Sequence, residues 1–306
     1  MRLGYALPQV GPFAGPDQIT TAAQRAEELG YDSLWVNDRV LWPTAPRAPF
    51  PGNADGSLSP LWKTNLDALD TLTYAAAHTK KVALGTAVLI LPLYDAVLLA
   101  RRLTTIDILS GGRLRAGFGL GWSPDEYEAT NTLWQDRARR FEDALELIKK
   151  IWAGGNLAHD SEFITLAESI FEATPVQRPR PPVYLAAYTP AGMARIAARA
   201  DGWTPAGVPI PAMGEMYQGI RAMAEQNGRD PDEIALVVRA NCAIVGELPE
   251  PDRPPFHGSV PQIVADARRA GEVGADEVFF DVQFSPGVDD FDTYLELMET
   301  FAQETH

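Results

Sequence analysis

Residues 82–120 read VALGTAVLILPLYDAVLLARRLTTIDILSGGRLRAGFGL and contain two apolar runs on either side of an amphipathic segment. The first run extends from Val82 to Leu91 and the second from Leu114 to Leu120. Between them, from about 95 to 109, apolar residues recur every three or four positions, which is the period of a helix. A strand, a helix and a second strand in this order are typical of a βαβ unit with parallel strands.

The same alternation continues along the whole chain. It predicts eight strands, at Leu3 to Leu7, Ser33 to Asn37, Val82 to Leu91, Leu114 to Leu120, Val183 to Ala187, Gly202 to Pro205, Ile234 to Val245 and Glu277 to Gln283. Helical patterns follow them, at Ile19 to Leu29, about 66 to 78, 95 to 109, Phe141 to Trp152, 190 to 199, 211 to 227, 261 to 273 and 291 to 304. Eight strands that are each followed by a helix favour an α/β fold, a closed (β/α)8 TIM barrel, in one domain of residues 1–306.

Three longer irregular stretches interrupt this pattern. Val40 to Lys63 follows the second strand, so we expect it at the mouth of the barrel, where chemistry occurs. Gly154 to Pro182 precedes the fifth strand and belongs to the opposite face, where we expect a structural hairpin. Gly246 to Ser259, which includes Pro251 and His257, follows the seventh strand and is a candidate lid.

Composition limits the classes of function. The chain has 306 residues, 46% of them apolar, and a formal net charge of −15, which argues against nucleic acid or a membrane as partner and favours small molecules. Cys242 is its only cysteine and lies in an apolar run, so we expect a buried thiol, no disulfide and no cysteine-based metal site. The N-terminus reads as a strand, not as a signal peptide, and a cytoplasmic protein is expected.

Polar residues at the end of the second strand are the first candidates for chemistry. Asp38 and Arg39 directly follow Trp35-Val36-Asn37, where the carboxyl ends of barrel strands form the active-site face. A carboxylate beside a guanidinium can orient a polar ring, although the same pair is also typical of a structural ion pair.

Glycines in the third and fourth strands are the second candidates. Gly85 stands early in the third strand, and Gly117, Gly119 and Gly121 alternate in the fourth. Glycine weakens a strand unless something needs the space, so the pattern predicts a bulge or the close approach of a flat ligand. Three glycines that face one way would leave a wall without side chains, suited to a tricyclic ring. The run ends a strand and lacks the acidic residue of a dinucleotide fingerprint, which argues against a nicotinamide site.

A third candidate is the turn from Ala186 to Gly192, which leads from the fifth strand into a helix. Pro190 stands near the helix start, where free backbone N–H groups and the helix dipole favour a phosphate, and Thr189 adds a hydroxyl. The alternative is a plain helix cap.

Taken together, these segments resemble the luciferase-like flavin oxidoreductases, and specifically their coenzyme F420-dependent branch. The matching segments are Trp35–Asp38, Leu84–Leu89, Leu109–Arg113, Gly117–Trp122, Arg140–Glu142, Pro182–Ala187 and Gly274–Phe279. The resemblance implies a luciferase-like barrel with loop insertions at its mouth, coenzyme F420 or, alternatively, FMN as cofactor, and a homodimer.

The resemblance also implies roles for single residues. Asp38 and Arg39 would face the pyrimidine end of the cofactor, with a bulge behind the ring that contains a cis peptide bond between Ala87 and Val88. The implied cofactor-binding residues are Asp38, Thr86, Ala87, Val88, Gly119, Leu120, Gly121, Trp122, Tyr127, Tyr188 and Thr189.

One position departs from the family, which commonly has histidine directly after the aspartate. Arg39 stands there, and arginine stays protonated at neutral pH and cannot act as a general base. Proton transfer then falls to Glu126, Tyr127, Asp38 or water. Arg39 would instead hold a carboxylate, nitro or enolate oxygen as charge develops. The predicted catalytic residues are thus Asp38, Arg39 and Glu126.

The leading hypothesis is hydride transfer between C5 of the deazaflavin and a small organic substrate. Trp42, Trp62 and Trp122 would form the substrate pocket, although such aromatic residues can equally anchor loops. Two alternatives stay open. One is a monooxygenase that uses reduced FMN and oxygen, and the other is a protein that binds flavin or deazaflavin without turnover.

Overall fold

The structure is a computed structural model, which describes residues 1–53, 55–250 and 253–305. Its parallel strands close into a barrel because the third strand pairs with both the second and the fourth. The barrel strands are β1 (Arg2–Ala6), β2 (Ser33–Val36), β3 (Ala83–Thr86) with β4 (Leu89–Ile90), β5 (Leu114–Gly119), β8 (Val183–Leu185), β9 (Gly202–Trp203), β10 (Ala235–Asn241) and β13 (Glu277–Asp281). The predicted eight-stranded barrel is therefore confirmed.

Helices cover the outside of the barrel. They are α1 (Pro16–Glu28), α2 (Ala68–His78), α3 (Ala96–Ser110), α4 (Pro124–Ala129), α5 (Arg137–Ala153), α6 (Pro190–Arg199), α7 (Ile210–Gln226), α8 (Val260–Glu272) and α9 (Phe291–Thr305). Apolar residues on one side of α1 are buried, as its period predicts. Short 3-10 turns lie at Gly11–Phe13, Pro60–Lys63, Leu91–Leu93, Trp134–Asp136 and Pro231–Glu233. The helix α4 has no separate signal in the sequence pattern.

The third strand is broken in the middle. A cis peptide bond between Ala87 and Val88 separates β3 from β4, at the place that the family resemblance implies. The Thr86 hydroxyl bridges this break to β5, because it donates to the Gly117 carbonyl and accepts from the Gly117 N–H, both at 2.8 Å.

The alternating glycines of β5 make room for this broken strand. A Cβ at Gly117 would lie 1.9 Å from the Thr86 carbonyl oxygen, and one at Gly119 would lie 2.6 Å from a Val88 methyl group. The prediction that these glycines leave a wall free of side chains for a ligand is therefore wrong for Gly117 and Gly119. Their bare faces are occupied by neighbouring residues of the same barrel.

The irregular stretches have different structures. Gly154 to Pro182 contains the expected antiparallel hairpin, β6 (Gly155–Asp160) and β7 (Thr165–Phe171). The predicted strand Ile234 to Val245 is in fact two strands, because β11 (Ala243–Ile244) leaves the barrel and pairs with β12 (His257–Gly258). The candidate lid is described except for Pro251 and Asp252, which lie outside the described residues.

A buried polar network closes the barrel below the mouth. Glu277 on β13 forms an ion pair with Arg115 on β5 and accepts a hydrogen bond from the Trp35 indole at 3.0 Å.

Within residues 1–53, 55–250 and 253–305, no helix is both long and apolar enough to span a membrane.

Candidate active site

A cavity of about 440 Å³ opens at the carboxyl-terminal rim of the barrel. This volume lies within the range of small-molecule sites. Its wall includes Asn37, Asp38, Arg39, Phe50, Trp62, Ala87, Val88, Ile90, Gly121, Trp122, Ala186, Tyr188, Thr204, Arg239, Asn241, Cys242, His257, Asp281 and Phe284. The cavity thus meets the break in the third strand on one side and the loop after β2 on the other.

Asp38 is held rigidly in this wall. One carboxylate oxygen accepts from the Ile90 N–H at 2.8 Å and the other from the Tyr94 hydroxyl at 3.0 Å. Burial raises the pKa of Asp38 to about 6, although both hydrogen bonds favour the ionised form. A carboxyl group with this pKa is partly protonated just below neutral pH and can exchange a proton with a ligand.

Arg39 is buried, with 4% of its side chain exposed, and is only loosely paired. Its nearest carboxylate is Glu126, at 3.8 Å between Nη2 and Oε2, which is too long for a hydrogen bond. Burial lowers the pKa of Arg39 and raises that of Glu126. Glu126 keeps a hydrogen bond from the Val40 N–H at 2.8 Å, so it fixes the loop that carries Arg39.

Aromatic rings surround the Arg39 guanidinium. Its Cζ lies over the ring of Trp62, 5.2 Å from the centroid, and over that of Trp122 at 4.9 Å. Phe50 packs on Trp122 and Phe284 packs on Trp62, with centroids 5.3 and 4.7 Å apart. We refer to Phe50, Trp62, Trp122 and Phe284 as the aromatic cluster. Its rings form an apolar end of the cavity with one cation inside it.

Several buried polar atoms near this end have no partner. Among the described residues, nothing hydrogen-bonds to Nε or Nη1 of Arg39 or to Nε1 of Trp122. Leaving a buried donor unpaired costs about 1–3 kcal/mol, and more when the group is charged. These atoms leave the hydrogen bonding of the Arg39 guanidinium incomplete next to the cavity.

The opposite side of the cavity carries residues that the sequence reasoning missed. Arg239 on β10 forms an ion pair with Asp281 on β13 at 2.6 Å and donates to the Ala87 carbonyl at 3.2 Å. The Thr204 hydroxyl and the Arg239 Nε atom are buried, and no described residue hydrogen-bonds to either. Arg239 and Asp281 lie near the carboxyl ends of their strands, so the reasoning that selected Asp38 applies to them equally.

The predicted site residues divide into two groups. Those that line the cavity are Asp38, Arg39, Ala87, Val88, Gly121, Trp122, Trp62 and Tyr188. Those that lie outside its wall in the described chain are Thr86, Gly119, Leu120, Tyr127, Thr189, Glu126 and Trp42. Glu126 contacts the site only through Arg39 and the loop after β2.

Two residues of the second group have structural partners. Tyr127 is fully buried, donates to the Leu120 carbonyl and packs edge-on against Trp134. Thr189 caps α6, because its hydroxyl accepts from the Gly192 N–H at 3.2 Å. The cap and a phosphate site remain compatible, since the other N–H groups of this turn are not used by Thr189.

The residues present fit a flavin-type ring. The walls in the middle of the cavity are small and apolar, formed by Ala87, Val88, Gly121 and Ala186, and unpaired donors lie at both sides.

The predicted buried thiol of Cys242 is confirmed. Cys242 is 4% exposed and lies in the wall of the same cavity.

Comparison with known proteins agrees with this architecture. The family model for luciferase-like monooxygenase matches residues 1–250. An uncharacterized protein of Mycobacterium tuberculosis is 32% identical over 71% of this chain and 78% of its own length. An F420-dependent glucose-6-phosphate dehydrogenase of Amycolatopsis mediterranei is 31% identical over 62% of this chain, but over only 53% of its own length.

Among solved structures, a monooxygenase from Streptomyces bottropensis superposes with a TM-score of 0.81 over 99% of this chain and 98% of its own, at 20% identity. That likeness concerns the fold. The family match covers most of the chain and includes the strands that carry Asp38, the cis peptide and the glycines of β5, so this protein belongs to the luciferase-like monooxygenase family.

Proposed function

We propose that this protein is a coenzyme F420-dependent oxidoreductase that transfers a hydride between C5 of the deazaflavin and a small organic substrate. The observation that carries the proposal is that Asp38 and Arg39 share the wall of one cavity with the Ala87–Val88 break. The F420-dependent relative that is 31% identical supports the choice of cofactor. When bound, the deazaflavin supplies or accepts the hydride.

The residues of the chain would divide the remaining work. Ala87 and Val88, with Gly121 and Ala186, would hold the ring flat. The loop after β2 would place the substrate against it. The turn of Tyr188 and Thr189 would hold the cofactor phosphate at the start of α6.

Three side chains would serve the reaction itself. Arg39 cannot move a proton, but its charge and N–H groups would stabilise negative charge on a substrate oxygen. Asp38 would exchange the proton, since it lines the cavity and its pKa of about 6 suits that task. Glu126 would act as a positioning residue, because it lies behind Arg39 and outside the cavity wall.

Titration with coenzyme F420 and, separately, with oxidised and reduced FMN tests the cofactor. Fluorescence of the deazaflavin or flavin and of the protein tryptophans reports binding. We expect saturable binding of F420 at least about tenfold tighter than binding of either form of FMN, which corresponds to about 1.4 kcal/mol. Tight binding of reduced FMN without measurable affinity for F420 would favour the monooxygenase, for which the solved monooxygenase structure gives a precedent of the fold.

The remaining alternative is a protein that binds flavin or deazaflavin but catalyses no reaction. It predicts bound cofactor whose absorbance does not change with any substrate. Reduced F420 mixed with the protein and a panel of ketones, enones and nitro compounds decides this, because oxidation of the cofactor restores its visible absorbance. Signal with at least one compound is expected if Asp38 and Arg39 act as proposed.

A further inference from the structure

A second cavity lies at the face of the barrel opposite the active site. It encloses about 580 Å³ and is formed by the ends of α5 and α6 and by the loops that lead into β8 and β10. These segments precede strands, whereas the active-site cavity lies where strands end. The two cavities share no lining residue, so what binds in one does not touch the wall of the other.

Positive charge dominates this second cavity. Six of its lining residues are charged, and only Glu146 among them is acidic. The five basic residues are Lys149, Lys150, Arg180, Arg199 and Arg229. We refer to the cavity as the basic cleft. Because the whole chain has a formal net charge of −15, the sign of the charge in the cleft is opposite to that of the protein.

Carboxylates compensate only part of this charge. Three of the basic residues form ion pairs, Lys150 with Glu146, Arg199 with Glu142 and Arg180 with Asp201. Lys149 and Arg229 form none with any carboxylate of the described residues, and donate to backbone carbonyl groups instead. Two positive charges in the cleft therefore have no carboxylate partner.

The alternative explanation for Lys149 and Arg229 is that they stabilise the end of α6. Lys149 donates to the Arg199 carbonyl, and Nη1 of Arg229 donates to the Ala197 carbonyl at 2.9 Å. Cations at a helix carboxyl end do stabilise it. These bonds use only part of the donors, however. Nε and Nη2 of Arg229 have no partner in the described chain, and neither atom is fully buried, so both can be reached by a ligand.

The basic groups of the cleft also repel one another. Burial is the main cause that lowers the pKa of Lys149 to about 8, and the guanidinium groups of Arg180, Arg199 and Arg229 lower it further. Asp201 acts in the opposite direction. An anion in the cleft would reduce this repulsion and favour the protonated amine.

From the shape of the cleft and its two uncompensated cations we infer a second binding site, for a small dianionic oxyanion of the phosphate class that contacts Lys149 and Arg229. A dianion matches the two positive charges that lack a carboxylate partner. The volume also leaves room for the organic part of a phosphate ester, so the dianion is either inorganic phosphate or the head of such an ester. A ligand that joins α5 to the loop after α7 would stabilise the folded protein.

Calorimetry of the wild type at about pH 8 and constant ionic strength tests the charge preference. The probes are inorganic phosphate, glycerol phosphate, sulfate and the monoanion nitrate. We expect phosphate and sulfate to bind at least about tenfold more tightly than nitrate. Equal binding of nitrate, or no binding of either dianion at millimolar concentration, would overturn the inference. Glycerol phosphate identifies the source, because an ester site binds it more tightly than phosphate and a site for the inorganic ion binds it more weakly.

Proton uptake shows whether the ion contacts Lys149. Sulfate does not titrate near pH 8, so its binding heats in two buffers with different enthalpies of ionisation count the protons that the protein takes up. We expect up to about half a proton for each sulfate bound, because the anion raises the pKa of Lys149 from about 8. Binding of sulfate without proton uptake would contradict the assignment of Lys149.

Three variants locate the site. Lys149→Gln and Arg229→Gln each remove a charge and keep a donor for the end of α6, and each should weaken binding of phosphate and sulfate by about tenfold. Lys80→Gln is the matched control, because it removes an exposed cation outside the cleft and should leave both affinities unchanged. Cooperative denaturant unfolding confirms that each variant is folded. Unchanged affinities in both cleft variants, or the same loss in the control, would place the ion elsewhere and overturn the inference.

Discussion

Asp38 should make the free energy of unfolding of this protein depend on pH. Its folded-state pKa of about 6 lies above the ordinary value of 3.8, so the folded protein binds this proton more tightly than the unfolded chain does. The resulting stabilisation is complete below about pH 3.8 and is lost as the pH rises to about 6. We expect the free energy of unfolding of the wild type, minus that of Asp38→Asn, to fall by up to about 3 kcal/mol between about pH 4 and pH 7.

Denaturant unfolding of both proteins at several pH values measures this difference. Subtracting the variant removes the contributions of titrating groups that do not interact with Asp38. A difference that stays constant across the range would show that Asp38 keeps an ordinary pKa.

Gly117 marks the closest approach between the fourth strand and the broken third strand. The Cβ of Gly117→Ala would lie 1.9 Å from the Thr86 carbonyl oxygen, and backbone cannot move aside as a side chain can. We expect a loss of about 3 kcal/mol or more in the free energy of unfolding. Gly219→Ala is the matched control, because Gly219 lies in α7 with nothing within 4 Å of its Cβ position, and it should gain about 0.5–1 kcal/mol. Similar losses in both variants would contradict this account of β5.

At the scale of single residues, part of the site could be located from the sequence. The reason is physical. Asp38 and Arg39 directly follow a strand end, and all strand ends of a parallel barrel meet at one rim. Tyr127 and Leu120 were assigned through the family resemblance alone, and neither lines the cavity. The unpaired donors of Arg39 depend on distances to residues far away in the sequence, which no local pattern contains.

At the scale of elements, the segment from Arg253 to Gly258 is clamped to α8. The side chains of Arg253 and Asp266 are 2% and 1% exposed and form two hydrogen bonds, at 2.6 and 2.8 Å. Asp266 also accepts from the Phe256 N–H at 2.7 Å, in a residue with φ of 62°. The clamp places His257 in the cavity wall.

Removal of one partner of this pair should therefore have a large effect. Arg253→Met leaves Asp266 buried with less compensation, and we expect a loss of about 3–5 kcal/mol in the free energy of unfolding. Lys150→Met removes an exposed pair with Glu146 and should change it by less than about 1 kcal/mol. Denaturant unfolding checks both. If the two substitutions cost the same, the segment is not held by this ion pair, and the candidate lid would be free to open.

The apolar pattern predicted the strands and the family resemblance implied the break in the third strand, but nothing predicted the departure of β11. Buried strands show as continuous apolar runs, which is why all eight positions of the barrel could be identified. The departure of β11 from the barrel depends on its pairing with β12, which is thirteen or more residues away across a proline-rich loop. The helix α4 is six residues long, too short for a clear period.

At the scale of the whole molecule, closure of the barrel depends on its last strand. The family model ends at residue 250, but β13 pairs with both β1 and β10, so it completes the ring. Without it, two long parallel strands would expose their edges, and the apolar residues beneath α9 would face solvent. A parallel sheet is stable only when its faces are covered and its edge strands are paired or shielded.

Truncation after residue 250 should therefore abolish cooperative unfolding and cause aggregation, even though the family match is retained. Calorimetry and size-exclusion chromatography of the truncated and full-length chains measure these properties. Residues 251–306 supplied as a separate chain should restore part of the soluble, cooperatively folding protein, because the missing strand can pair from outside the covalent chain. A truncated chain that unfolds cooperatively on its own would show that the ring closes without β13, and that the cavity rim formed by Asp281 and Arg239 is dispensable for the fold.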